Sequence, residues 1–196
     1  LAFIAHARAG GAWLIEDDYD SEFLYDHQPT PALQGLDEQG RVVYIGTFSK
    51  SLFPSVRLAY MVLPEALITP LVTARTIVDG HPSQPMQAVA ADFMEQGHFA
   101  AHLRLMRQLY RSRRDALLLA LHSHLPWAEP LDGRGGLQMA VRLPPGSEQR
   151  LTRAAAALGI ATPSLGDLYH STARTEGWRL GFAALTPQTI EESVSK

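Results

Sequence analysis

The stretch that most constrains the fold is VVYIGTFSKSLFPSVRLAYM, residues 42–61. An apolar run at its start predicts a buried strand, and small and hydroxyl-bearing residues then lead to Lys50. Arg57 stands seven residues later, immediately before a second apolar run. Only ten residues separate the strands predicted at 42–47 and 58–63, so we expect an antiparallel pair with Lys50 just beyond the end of its first strand.

A lysine in this position suits imine chemistry. Its amine is normally protonated, with a pKa of about 10.4, and becomes nucleophilic when it is desolvated or lies beside another cation. Thr47 and Ser49 can donate hydroxyl hydrogen bonds to a phosphate, and Arg57 can bind one through two parallel hydrogen bonds. An imine-forming lysine beside a phosphate site is typical of pyridoxal 5'-phosphate (PLP). The alternative is a strand end with a solvated lysine and an unrelated surface arginine.

A second segment, WLIEDDYDSEFLY at residues 13–25, favours the cofactor. Its apolar run ends in acidic residues that include Asp17, and Tyr19 follows. PLP needs a carboxylate against its pyridine nitrogen, and a tyrosine hydroxyl can bind the phenolic oxygen of the ring. Both residues stand at the carboxyl end of a predicted strand, as Lys50 does. In open α/β sheets this is the edge where ligands bind.

Together, IEDDYDSEF and YIGTFSKSLFPSVRLAY resemble the MocR-type branch of the GntR transcription regulators. In that family a winged helix-turn-helix is joined to a domain with the fold type I aminotransferase architecture. The resemblance covers essentially the whole chain. It implies that Lys50 holds PLP as an internal aldimine, with Asp17 at the pyridine nitrogen and Tyr19 at the phenolic oxygen. The residues implied around the phosphate are Thr47, Ser49 and Arg57.

The resemblance also implies binding partners and a longer protein. The chain begins without Met inside an apolar-periodic segment, which predicts the interior of a longer protein. We therefore expect DNA to be bound only through a missing N-terminal domain, and a homodimer. The sequence departs from the family pattern at Leu24, where Arg is common, and at Ala59, where Gly is common.

Composition excludes several classes of function. The net charge of −3 gives no electrostatic footprint for DNA, and the absence of cysteine excludes thiol chemistry. No apolar run approaches the roughly 20 residues that span a bilayer, so no membrane partner is expected. We predict a cytoplasmic protein without a metal. His98 and His102 are four residues apart, but no third ligand is apparent.

The predicted fold class is α/β: part of the large-domain sheet of a fold type I PLP-dependent transferase, a long interdomain helix and a small α/β C-terminal domain. A composition shift near residues 122–136 places the large domain and helix at 1–121 and the small domain at 122–196. The long helical pattern at 86–121 is divided at Gly97. Further helices are predicted at 1–10, 65–78 and 147–158 and after residue 187, and strands at 12–17, 136–143, 160–162 and 178–184.

Arg179, in the segment WRLGF, matches the place where fold type I proteins carry an arginine that binds the carboxylate of an amino-acid ligand. Arg174 is a competitor in a polar loop, and Tyr169 with His170 could line the pocket. The leading hypothesis is an effector-sensing regulatory domain, in which an amino compound attacks the imine at Lys50 to give an external aldimine. A PLP-dependent class I/II aminotransferase and an apo α/β dimerisation module are the alternatives.

Overall fold

A computed structural model describes residues 2–26, 30–132, 134–170 and 175–196. These residues form an α/β chain with two sheets of three strands each. The chain divides into two compact units, one of residues 1–22 with 28–103, and one of residues 23–27 with 104–196. Each unit contains one of the two sheets.

Helices and strands alternate along the chain. The first unit contains α1 (Ala2–Gly10), β1 (Leu14–Asp18), β2 (Val42–Thr47), α2 (Phe48–Ser51), β3 (Ala59–Val62), α3 (Glu65–Asp79) and α4 (Gln84–Glu95). The long helix α5 (His98–His124) follows, and after it come β4 (Glu129–Asp132), β5 (Gln138–Arg142), α6 (Glu148–Ala157), β6 (Gly177–Gly181) and α7 (Pro187–Val194).

The first sheet has the order β1-β2-β3. Strand β1 runs parallel to β2, and β3 runs antiparallel to β2, which confirms the expected antiparallel pair. Val42 and Val43 of β2 are buried because this is the central strand. A small core of Val56, Leu58 and Ala90 lies in this unit, with Phe48, Leu52 and Met86 packed against it. Each fully buried aliphatic side chain of valine or leucine size contributes about 1.5–3 kcal/mol.

The second sheet is antiparallel throughout, with the order β4-β5-β6. Met139 and Val141 alternate with more exposed residues along β5 and are fully buried. The sequence analysis missed β4, because proline and acidic residues, which β4 contains, are uncommon in strands. The strand predicted at 160–162 was wrong: the backbone pairing comes later, where Ser164 bridges Trp178 and the Arg179 amide donates to Pro163.

Two helix boundaries are at the residues that the sequence indicated, and a third has a different cap. Gly97, with φ of +77°, separates α4 from α5 as predicted. Thr186 is the N-cap of α7, and its hydroxyl accepts a hydrogen bond from the Thr189 amide at 3.1 Å. Ser147 precedes α6, but its hydroxyl donates to the Pro144 carbonyl instead of capping the helix. The Glu176 carboxylate takes over that role and accepts from the Glu148 amide at 3.1 Å.

The two units divide within α5, between Leu103 and Arg104. The domain boundary proposed near residue 122 stays a prediction. None of the helices that the structure describes combines the length and the hydropathy that a bilayer-spanning segment needs.

Candidate cofactor site

The segments that carry the predicted site residues of the first unit lie at one edge of its sheet. Asp18 at the end of β1 is in register with Gly46 near the end of β2, so the carboxyl ends of the two parallel strands coincide. Strand β3 begins beside Thr47, because Thr47 is in register with Ala59. Arg57 lies just before β3 and Lys50 just after β2, so both belong to this edge. The backbone thus brings these three segments together.

Three consecutive acidic residues, Glu16, Asp17 and Asp18, have different surroundings. Successive side chains of a strand point to opposite faces, so Glu16 and Asp18 share one face and Asp17 lies on the other. Glu16 accepts hydrogen bonds from the Leu33 and Gln34 amides at 2.8 and 3.0 Å. Asp17 is exposed and accepts no hydrogen bond from the residues that the structure describes. Of the three, Asp17 is therefore the carboxylate available to a ligand.

The Asp18 carboxylate lies on the opposite face and is hydrogen-bonded within the chain. Its carboxylate accepts hydrogen bonds from the Ser21 amide at 3.1 Å, the Ser21 hydroxyl at 2.6 Å and the Tyr44 hydroxyl at 2.7 Å. Burial opposes ionisation, but these hydrogen bonds outweigh it and hold the pKa of Asp18 below its usual value. Burial, followed by the hydrogen bond to Asp18, raises the pKa of Tyr44.

Lys50 is the third residue of the short helix α2, and its side chain is exposed. Thr47 is the N-cap of α2: its hydroxyl accepts from the Ser49 amide at 3.1 Å and donates to the Leu58 carbonyl at 3.4 Å. At the other end of α2, the buried Ser51 contributes its carbonyl to a 3.0 Å hydrogen bond with the His102 ring. The lysine is therefore carried on a turn that is fixed at both ends.

Asp20, in the turn after β1, responds electrostatically to Lys50. Burial raises the pKa of the Asp20 carboxyl, and the negative charge of Asp18 raises it further. The positive charge of Lys50 acts in the opposite direction, which means that the lysine and Asp20 interact across this edge. Tyr19, between the two aspartates, is 52% exposed.

Arg57 adopts the left-handed conformation, with φ of 50° and ψ of 39°. It is the one non-glycine residue with positive φ in the part of the chain that the structure describes. Such a conformation is costly for a residue with a side chain and is concentrated at ligand-binding sites. Arg57 is exposed. Its contact with a phosphate, like those of Thr47 and Ser49, stays a prediction.

Sequence reasoning missed Asp18, Tyr44 and His102 as residues that shape this edge. The strict alternation of a strand could have separated Asp18 from Asp17. The contacts to Tyr44 and His102 join residues 26 and 51 positions apart, so local patterns carry no signal for them.

The other candidates lie elsewhere. Arg179 is in β6 of the second unit, and its Nε is buried without a hydrogen-bond partner among the described residues. Arg174 lies outside the described residues. Tyr169 and His170 are exposed. His98 contacts Gln96 whereas His102 contacts Ser51, and no group of three metal-ligating side chains occurs in the described parts of the chain.

One cavity of about 460 Å³ lies away from these residues. It is lined by Ala5, Arg8, Ala9, Gln39 and Arg41. Arg41 directly precedes β2, so this cavity is at the opposite edge of the sheet from Lys50. It is therefore not the site predicted from the motifs.

The residues at the Lys50 edge fit PLP chemically. They offer one amine, one carboxylate that accepts no hydrogen bond from the described residues, a phenol, and hydroxyl and guanidinium donors for a phosphate. Thr47 fits with one adjustment, since its hydroxyl must release the Leu58 carbonyl before it can donate to a phosphate.

The chain is similar to known proteins over its whole length. The model of the aminotransferase class I and II family matches residues 1–196. The probable rhizopine catabolism regulatory protein MocR of Rhizobium meliloti is 38% identical over 186 residues, which are 94% of this chain and 38% of that protein.

Solved enzymes share the fold. The multiple substrate aminotransferase of Thermococcus profundus matches 99% of this chain and 49% of its own with a TM-score of 0.89 and 31% identity. The α-aminoadipate aminotransferase LysN of Thermus thermophilus, complexed with N-(5'-phosphopyridoxyl)-L-leucine, matches 99% of this chain and 51% of its own with a TM-score of 0.86 and 28% identity.

The chain thus spans about half or less of the length of these relatives. The fold type I architecture and the MocR-type resemblance predicted from the motifs are both confirmed, and the aminotransferase class I and II fold is a PLP-dependent one. The chain therefore belongs to the aminotransferase class I and II family, as the aminotransferase-like domain of MocR-type regulators does.

Proposed function

We propose that this chain is part of a PLP-binding, effector-sensing domain of a transcription regulator. The observation that supports the proposal is that Lys50 and Asp17 both belong to segments at one sheet edge. Of the three consecutive acidic residues there, Asp17 alone accepts no hydrogen bond from the described residues. Bound PLP supplies an aldehyde that condenses with amines and a ring that accepts electrons. In the proposed site, Lys50 holds the cofactor covalently through Nζ.

The remaining residues have distinct proposed roles. Asp17 keeps the pyridine nitrogen protonated, and Tyr19 donates a hydrogen bond to the phenolic oxygen. Thr47, Ser49 and Arg57 hold the phosphate, and the guanidinium of Arg57 can donate two parallel hydrogen bonds to it. The departures from the family pattern leave these roles intact: Leu24 packs against Gly135, and Ala59 is exposed in β3.

We further propose that Arg179 binds the carboxylate of an amino-compound effector. The support for this proposal is Nε of Arg179 in β6, which is buried and has no hydrogen-bond partner within the described residues. A buried donor without a partner is costly, so a carboxylate that accepts from it would offset a penalty already present. DNA would be bound by a separate domain, and we propose a cytoplasmic homodimer.

The cofactor site is tested by PLP titration of the protein encoded by the complete reading frame. Arg57→Asn keeps a residue that tolerates the left-handed conformation but removes the guanidinium. We expect its Kd for PLP to rise at least about tenfold, because hydrogen bonds between charged groups are the strong ones. Arg75→Asn is the matched control, since Arg75 is an exposed arginine of α3 paired with Asp79. Equal Kd values for both variants would remove Arg57 from the site.

A metabolic aminotransferase is the second candidate, and the fold shared with the Thermococcus profundus enzyme favours it. Sensing and turnover begin with the same contact between an amine and the cofactor, so they differ only in the later steps. We expect amino compounds to change the absorption of the bound cofactor without sustained formation of a keto acid. Continuous production of a keto acid in the presence of an acceptor for the amino group would instead establish an aminotransferase.

A further inference from the structure

A hydrogen-bonded cluster occupies the face of the first sheet opposite Asp17. Its centre is the Asp18 carboxylate, which accepts from Ser21 in the turn after β1 and from Tyr44 in the neighbouring strand β2. One carboxylate therefore joins the end of β1 to the adjacent strand and to the turn after it. A bond of this kind, between a charged and a neutral group, is stronger than one between neutral groups.

Tyr44 is itself held in place by its neighbours. The ring of Tyr60, from β3, lies 6.1 Å from that of Tyr44 between centroids. Tyr60 can approach because Gly46 has no side chain: a Cβ there would lie 2.4 Å from Cζ of Tyr60. The cluster thus includes residues from all three strands, Asp18 from β1, Tyr44 and Gly46 from β2 and Tyr60 from β3.

We propose that Asp18 is a positioning residue for the cofactor edge, and this inference rests on the proposed function. Asp18 stands between Asp17 and Tyr19 in the chain, so fixing its carboxylate fixes the backbone from which both side chains project. Binding residues must be held within about 0.5 Å of the productive geometry by supporting contacts behind them. In this cluster the support comes from the opposite face of the same strand.

A purely structural role for Asp18 makes a different prediction, and Asp37 provides the matched control. The Asp37 carboxylate also accepts amide hydrogen bonds, from Gln39 at 3.1 Å, from Val42 at 2.7 Å and from Arg41. It fixes the start of β2, at the edge of the sheet away from Lys50. Removing either carboxylate therefore costs stability, but only Asp18 supports the cofactor edge.

The test compares Asp18→Asn, Tyr44→Phe and Asp37→Asn in the protein encoded by the complete reading frame. The readouts are the midpoint of urea unfolding without cofactor, hydrogen exchange of the 17–21 amides, and the Kd for PLP measured by absorbance. We expect Kd to rise about tenfold in Asp18→Asn and about threefold in Tyr44→Phe, since each loses a hydrogen bond that involves a charged group. Exchange at 17–21 should accelerate in both, whereas Asp37→Asn should change only the unfolding midpoint.

The outcomes separate this proposal from the proposed function. If the unsubstituted protein does not bind PLP, the proposed function falls and the positioning role falls with it. If it binds PLP and both variants at the cluster keep its Kd, the positioning role alone is overturned. Should Asp18→Asn fail to fold, Tyr44→Phe decides, because it keeps the ring and removes only the hydroxyl that Asp18 accepts from.

Discussion

Two carboxylates in this chain stand in opposite situations, one in each compact unit. Glu148, at the start of α6, is buried and accepts hydrogen bonds from the Gly166 amide at 3.1 Å, the Gly177 amide at 2.7 Å and the Ser164 hydroxyl. Asp17, at the end of β1, is exposed and accepts none from the described residues. A polar group that is satisfied within the chain stabilises the fold, whereas one left open at a sheet edge is available for a ligand.

The largest difference is expected between Glu148→Ala and Asp17→Ala. Removing Glu148 leaves buried backbone donors without an acceptor, so we expect the free energy of unfolding to fall by about 3 kcal/mol. Asp17→Ala should change it by less than about 0.5 kcal/mol, as surface substitutions do. Urea unfolding of the cofactor-free protein measures both. Equal losses would mean that Asp17 is as much a part of the fold as Glu148.

The two units also differ in how tightly a glycine is enclosed. A Cβ at Gly177 would lie 2.2 Å from the backbone carbonyl of Val141, which the sheet holds in place. The three atoms nearest to a Cβ at Gly46 all belong to the far end of the Tyr60 side chain, which can rotate away. We expect Gly177→Ala to cost about 2–3 kcal/mol and Gly46→Ala about 1 kcal/mol or less. Thermal unfolding would contradict this comparison if Gly46→Ala were the more damaging of the two.

The smallest expected effect concerns Asp18 and Asp20 of the first unit, whose ionised carboxylates should change the stability of the fold in opposite directions. The pKa of Asp18 is lowered in the folded state, so its stabilisation is present above the unfolded value of 3.8 and is lost as the pH falls through the folded pKa. The pKa of Asp20 is raised, so its ionised form destabilises the fold above that folded pKa.

At neutral pH, Asp18→Asn should therefore be less stable than the unsubstituted protein and Asp20→Asn more stable. Both differences should shrink on acidification through the respective folded pKa values. Urea unfolding at a series of pH values checks this. A difference of the same sign for both variants would contradict the electrostatic account of this edge.

The sequence predicted the parts of this fold that depend on short patterns. The apolar runs indicated β2 and the antiparallel β3, the two motifs indicated the residues at the Lys50 edge, and Thr186 before a proline indicated the start of α7. The sequence did not predict the contact from Tyr44 to Asp18, because it depends on the register of two strands that are distant in the chain.

The structural features that the sequence analysis missed or predicted wrongly also lack a short sequence pattern. Strand β4 carries few of the residues that favour strands and forms by pairing with β5. The segment at 160–162 was predicted as a strand, yet the residues after it pair with β6 and it does not. The left-handed backbone of Arg57 has no sequence signal, since arginine seldom adopts it.

The central claim is that Lys50 carries the cofactor, and residues 1–196 contain one other lysine, Lys196, which serves as an internal control. The protein encoded by the complete reading frame is incubated with PLP, reduced with borohydride, digested and mapped by mass spectrometry. We predict one phosphopyridoxyl adduct, on the peptide that contains Lys50, which is lost in Lys50→Arg and kept in Lys196→Arg. An adduct on Lys196 alone, or no adduct at all, would contradict the account.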